Sequence, residues 1–211
     1  MFSVRASKPR KATATLADLR AIWDEKAVEL IDGEIVEKAS PGFFHGNTQV
    51  SVSSILWTRF GGRGGGGGAT SGWWFASEVD IRFDERDVFR PDVAGWRRDR
   101  HPDAPAERPV RARPDWICEV LSSSDKRRDQ VLKLRAYHRH GVPHYWLLDP
   151  DEKTLTVYRW QADGYVNALT AQAGERVRAE PFDALEFPLG ALFGEEPEPP
   201  KRRKKPTPTR R

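Results

Sequence analysis

Glu119 stands within "DWICEVL", residues 115 to 121, an apolar run that reads as a buried strand. A carboxylate taken out of water without a partner costs several kcal/mol or takes up a proton, so a strand that buries one implies a partner for it. Alternation puts Trp116, Cys118 and Val120 on one face and Ile117, Glu119 and Leu121 on the other, so Glu119 points into a packed layer. Two copies of "RPD" offer an aspartate, Asp92 and Asp115. Asp115 is four residues along the same strand, about 13 Å away at roughly 3.3 Å per residue, and cannot share an ion with Glu119. Asp92, in "DVFRPDVAGW", belongs to the preceding strand-like segment, and neighbouring strands lie only about 4.8 Å apart. Carboxylates on adjacent strands can close on one Mg2+, which takes oxygen ligands in an octahedral shell and keeps several waters.

A third group comes from the helix that follows. Asp129, Lys133 and Tyr137 recur at i, i+4 and i+8 and make one polar stripe. Packed back across the sheet with the stripe inward, this helix brings Lys133 to the carboxylates. There an ammonium would orient an attacking water and neutralise charge as a phosphodiester passes to its pentavalent state. Left in solvent, the same stripe is a charged face whose Asp–Lys pair contributes a few tenths of a kcal/mol.

The elements that must position these groups follow from periodicity and turn residues. "TLADLRAIWDEK", 15 to 26, has helical spacing with Thr15 as a cap, and "AVELIDGEIVEKA" reads as a hairpin about the Asp32–Gly33 turn. A second helix runs through "GFFHGNTQVSVSSILWTRF" with Val50, Ile55, Leu56 and Phe60 on its apolar face, and stops at the glycines of 61 to 68. Those glycines lack the Gly-Lys-Ser/Thr of a phosphate-binding loop. Three strand-like segments, 72 to 84, 87 to 96 and 115 to 121, precede the capped helix of 122 to 141 and strands at 143 to 149 and 154 to 160. The order specifies an α/β chain of the α+β type, a mixed central sheet flanked by helices. "FDALEFPLGALF", 182 to 193, closes the apolar part.

The 211 residues, 38% hydrophobic, suffice for one sizeable core. We expect a flexible arm over 1–14, one domain over 15–194 and a Pro-rich basic tail over 195–211. "KRRKKPTPTRR" carries seven basic residues and no acid, a pattern that attracts phosphate backbones or simply solubilises. A formal charge of +4 leans the same way. No apolar run approaches the ~18 residues of a membrane span and the first residues lack a secretory h-region, so the expectation is a soluble cytoplasmic protein. The single cysteine, Cys118, excludes an internal disulfide and a thiolate zinc cluster and reads as a core residue.

"PD" followed a strand later by an acidic residue is the signature of the PD-(D/E)xK nuclease superfamily. More narrowly, "ELIDGEIVE…H", "RPDVAGW", "EVLSSSDKRRDQVLKLRAYHRHGVPHYWLLDP" and "TVYRW" resemble the Uma family of restriction-endonuclease-like proteins of bacteria, over residues 15 to 190. The resemblance implies a restriction-endonuclease-like core, cleavage of DNA dependent on Mg2+ or Mn2+, and a homodimer. It makes Asp92 the first metal ligand and Glu119 the second. The superfamily lysine belongs two residues after the glutamate, where this chain has Leu121, and the family pattern moves it to the following helix, at Lys133. Glu29 and His45 match family positions near the first hairpin and second helix; Glu29 would complete the metal shell, with His45, Tyr137 and Asp129 in support. Glu78 and Asp80 share a strand face that we expect at a solvent-facing edge, and His138, His140 and His144 show no ligand pattern.

Three functions compete: a metal-dependent DNA endonuclease, a catalytically silent relative that binds DNA or self-associates, and a small-molecule metallohydrolase. Asp92, Glu119 and Lys133 together favour the first over the second, because a silent domain has no need to bury three charges. The basic tail favours a nucleic-acid substrate over the third.

Overall fold

The computed structural model describes residues 13–38, 40–62, 72–122 and 129–196, the side chains of 129 and 130 excepted. The expected arm, glycine run, helix start and basic tail therefore fall wholly or largely outside the described residues. Among those residues no helix is long and apolar enough to cross a membrane.

Two sheets carry the molecule. The smaller has the order β2-β1-β5-β4, from β1 (Val28–Ile31), β2 (Glu34–Glu37), β4 (Ile81–Arg82) and β5 (Val88–Phe89). Its hairpin turns through Asp32 and Gly33, both at positive φ, as a two-residue loop between right-twisted strands requires. The larger sheet has the order β10-β9-β8-β7-β6-β3, from β3 (Trp73–Ser77), β6 (Val93–Arg97), β7 (Trp116–Val120), β8 (His144–Asp149), β9 (Thr154–Gln161) and β10 (Gly164–Gln172). Only the central β7–β8 pair is parallel, which makes the sheet mixed as expected. A parallel pair requires a crossover, and the segment between β7 and β8 holds a π-helical turn, Asp129–Lys133, that runs into α3 (Leu134–Arg139).

The two strand-like runs that precede β7 do not stay in one sheet. Each switches sheets within three residues, β3 to β4 across 78–80 and β5 to β6 across 90–92, and Glu78 N–H donates to the Pro91 carbonyl (3.2 Å) where the crossings meet. This seam is what brings Glu78, Asp80, Arg90 and Asp92 together.

β7 is buried along its whole length. Trp116, Cys118 and Val120 pack with Trp146, Phe182 and α2 (Phe43–Phe60), while Ile117 and Leu121 pack with Tyr137, Tyr145, Ile81 and Phe89 under α3. The closing segment forms a small β11–β12 pair (Arg176–Val177, Phe187–Pro188) and a 3-10 turn, Leu189–Phe193, on the α2 side. Two helical expectations change. α1 spans only Leu16–Arg20 under a Thr15–Asp18 capping box, since one amphipathic turn is too short to propagate without packing beyond it. On α2 the buried stripe is His45, Thr48, Val52 and Leu56, and Val50 is exposed, because two positions on from Val50 the 3.6-residue turn reaches the opposite side.

Candidate active site

Asp92 ends the second crossing, and its burial is compensated on both oxygens. Oδ2 accepts from the Val120 N–H of β7 at 2.7 Å, and Oδ1 accepts from Lys38 Nζ at 2.8 Å. His45, in the first turn of α2, brings Nε2 to 3.3 Å from Oδ1. One turn on, Gln49 donates to the Asp92 carbonyl (2.8 Å) and to Glu78 Oε1 (3.2 Å). Burial alone would raise the Asp92 pKa; the His45 ring and the Lys38 and Lys133 ammoniums outweigh it and hold the carboxyl well below the usual carboxylate range.

Lys38, just past β2, is the group the sequence reading missed. Its ammonium donates to both oxygens of Glu78 (2.9 and 2.8 Å), to Asp92 and to the Arg90 carbonyl (3.0 Å). Burial would lower its pKa, but Asp92 and Glu119, helped by Glu78 and opposed by Lys133, raise it above the ordinary lysine value. No local pattern marks this residue, since its partners lie 40 or more positions away; a lysine at the end of a half-buried hairpin strand is the only hint.

Glu119 gathers a second group. Its Oε1 accepts from Lys133 Nζ (3.0 Å) and from the Tyr137 hydroxyl (2.6 Å). Lys133 also lies 3.2 Å from Glu29 Oε1, which accepts the Arg90 N–H at 2.8 Å. All four side chains are buried. The π-helical turn carries Lys133 and α3 carries Tyr137, so the inward half of the predicted stripe reaches β7; the Asp129 side chain is outside the described residues. Burial, then the Glu119 and Glu29 carboxylates, push the Tyr137 phenol well above its usual pKa, so it remains a donor.

The predicted residues thus fall into two adjoining sets, Asp92 with His45 and Glu119 with Glu29, Lys133 and Tyr137, and the first is joined by Lys38 and Glu78, which the sequence did not place there. The field of each set reaches the other, since Lys133 acts on Asp92 and Glu119 acts on Lys38. Two expectations are corrected. Asp80 is buried and paired with Arg90 (2.8 Å), because the sheet switch takes it off an open edge, whereas Glu78 stays exposed at the seam as expected. His140 meets Asp84 and Asp87, with its ring 2.6 Å from Asp87 Oδ2. Burial would raise the Asp87 pKa, but His140, the Asp32 N–H and Arg139 bring it down to about 2. Asp115 serves β7 structurally, accepting the Arg97 N–H (2.9 Å) and pairing with Arg100.

The residues fit a divalent cation. His45, Glu78 and Asp92 each offer a ligand atom, all within 4.8 Å of one another, and two carboxylates with one imidazole are a donor set for a divalent metal ion. Glu29 Oε2 and His45 Nδ1 are buried without a hydrogen bond, and His45 Nε2 has only its 3.3 Å approach to Asp92.

A family model described as "Uma2: Putative restriction endonuclease" matches residues 16–190. Among solved structures, the chain is similar to a putative nuclease belonging to DUF820 from Anabaena variabilis ATCC 29413, at 24% identity and a TM-score of 0.62, covering 81% of this chain and 91% of that one. That likeness establishes a shared α+β fold. No curated protein matches.

Proposed function

The chain belongs to the Uma2 family of restriction-endonuclease-like proteins, and on that premise we propose that it is a divalent-metal-dependent endonuclease that hydrolyses phosphodiester bonds of DNA. The observation that carries this is the burial, to about 1% exposure each, of Asp92, Glu119 and Lys133 beside one central strand. Buried ionic groups are commonly replaceable by apolar residues at no loss of stability, so charges gathered in this way mark a site more readily than a scaffold.

In this reading Mg2+ or Mn2+ is held through Asp92, with His45 and Glu78 beside it and the Glu119 and Glu29 carboxylates of the adjoining set completing the acidic site. The ion, when bound, would polarise a phosphoryl oxygen and lower the pKa of a water. The chain's own groups do the rest. Lys133 holds the Glu119 and Glu29 carboxylates apart from one another's repulsion and supplies positive charge for the oxyanion that develops. Tyr137 fixes the Glu119 carboxylate by donating to it, and Asp129 belongs to the turn that presents Lys133. Leu121, in the superfamily's usual lysine place, is buried in the core, so the cation comes from the helix side. DNA is the partner, a homodimer the working form and the bacterial cytoplasm the location that go with this function.

The test is nicking of supercoiled plasmid by purified protein. Mg2+ or Mn2+ should support cleavage and EDTA should stop it. Asp92→Ala and Glu119→Ala should abolish cleavage while circular dichroism shows a retained fold. Equal cleavage by wild type and both variants overturns the proposal, and DNA binding without cleavage assigns the chain to a silent nuclease fold.

A further inference from the structure

Lys38 is not accounted for by the roles above, yet it makes the densest set of polar contacts at the seam. Its ammonium has three donors, and they are taken up by Glu78, Asp92 and the Arg90 carbonyl, at 2.8–3.0 Å. Glu78 and Asp92 are two of the three residues whose ligand atoms converge with His45 to within 4.8 Å. Ions of the Mg2+ type bind oxygen at about 2.0–2.1 Å, so ligand atoms on opposite sides of one ion lie roughly 4 Å apart, and these three donors are already near that spacing. The His45 ring adds an independent sign. It is 8% exposed, Nδ1 has no hydrogen bond, and Nε2 has only its 3.3 Å approach to Asp92 Oδ1. A buried imidazole left in that condition forfeits its polar contacts unless something else takes them up.

We propose that Lys38 is the resident counter-cation of a divalent-cation site formed by His45, Glu78 and Asp92, and that Mg2+ or Mn2+ binds there as the ammonium leaves Glu78 and Asp92. The ion and the Lys38 ammonium claim the same oxygens, those of Glu78 and Asp92 Oδ1, and repel one another at that range, so they compete for the place. The lysine can leave. Its backbone N–H stays on the Ala27 carbonyl (2.8 Å), but its side chain is 13% exposed and its four-carbon stem is flexible. Glu78 holds a left-handed backbone (φ 55°) between β3 and β4, and that turn is what sets its carboxylate against Lys38. The device keeps the folded carboxylates neutralised in the absence of metal and makes metal binding a competition. If the ammonium occupies the site for nine-tenths of the time or more, the apparent Kd for the ion is raised about tenfold or more over its intrinsic value.

The inference rests on the metal-dependent reading, but its test uses no DNA. Mn2+ binding is measured by calorimetry on the full chain, for wild type, Lys38→Met and Glu78→Gln. Lys38→Met should bind Mn2+ at least about tenfold tighter, and should gain more in thermal midpoint on adding Mn2+ than wild type does. Glu78→Gln, whose side chain is partly exposed and whose loss spares the core, should bind at least about tenfold weaker. Pulsed electron paramagnetic resonance of bound Mn2+ should show a nitrogen coupling that His45→Gln removes. Unchanged or weaker binding by Lys38→Met, unchanged binding by Glu78→Gln, or no Mn2+ binding by wild type and Lys38→Met alike overturns the inference. Tighter binding by Lys38→Met together with failure of every plasmid assay would leave the metal site standing and remove the nuclease.

Discussion

Replacing Lys133 by methionine keeps most of the side-chain volume and deletes one charge, which isolates the electrostatic contribution. Lys133 Nζ stands 3.0 Å from Glu119 Oε1 and 3.2 Å from Glu29 Oε1, with all three side chains 1–2% exposed. Removing one partner of such a buried group leaves uncompensated charge and costs about 3–5 kcal/mol. The Tyr137 hydroxyl and the Arg90 N–H remain on the two carboxylates, which places the expectation toward the lower end. Against a total stability of about 5–15 kcal/mol this is a large fraction. With a urea m-value of about 1–3 kcal/mol/M, the midpoint falls by about 1–3 M at unchanged slope, followed by fluorescence of the core Trp116 and Trp146. Adding Glu29→Gln removes one of the stranded charges, so the double variant should recover about 1–3 kcal/mol relative to additivity. A loss under about 1 kcal/mol, the value of a solvent-exposed pair, or strict additivity in the double variant, would refute the claim that these charges form one dry cluster.

Other outcomes follow from the same structure. Asp87 has its carboxyl lowered from 3.8 to about 2, so the folded state binds fewer protons than the unfolded one in that window. Its contribution is complete above about pH 4 and lost as pH falls toward 2, and Asp87→Asn should flatten that loss in urea midpoints taken at pH 7, 4 and 2.5. A Cβ at Gly95 would stand 3.2 Å from the rings of Phe75, Trp116 and Trp73, so Gly95→Ala should cost about 1–3 kcal/mol in thermal denaturation. Deleting residues 197–211 removes seven basic side chains and should weaken DNA binding in fluorescence anisotropy at low salt, with a shallower dependence of log K on log[KCl].

How far the sequence carried depended on the range of the interactions. Alternation in "WICEVL" separates the residues that enter the two cores on either side of β7, because the period of a strand is local. The Asp32–Gly33 turn is equally local. The break of residues 72–84 and 87–96 into two sheets is not, since each run remains strand-like and only the pairing of β5 with β1 and of β6 with β7 decides where it divides. The site follows the same rule. Asp92, Glu119 and Lys133 are recognisable as chemistry in a buried setting, and helix periodicity carries Lys133 and Tyr137 to one side. Lys38 and Glu78 become neighbours only through the seam, 40 positions apart, and Val50 looked inward because its helix was read without the sheet that selects its buried face.

The central claim is a divalent cation bound through Asp92. The direct measurement is an anomalous difference map at the manganese edge from crystals grown with saturating Mn2+. The account predicts a peak within bonding distance of an Asp92 oxygen, with Lys38 withdrawn from Glu78. Manganese at Asp84, Asp87 and His140 with none at Asp92, or no peak at either group, would contradict it.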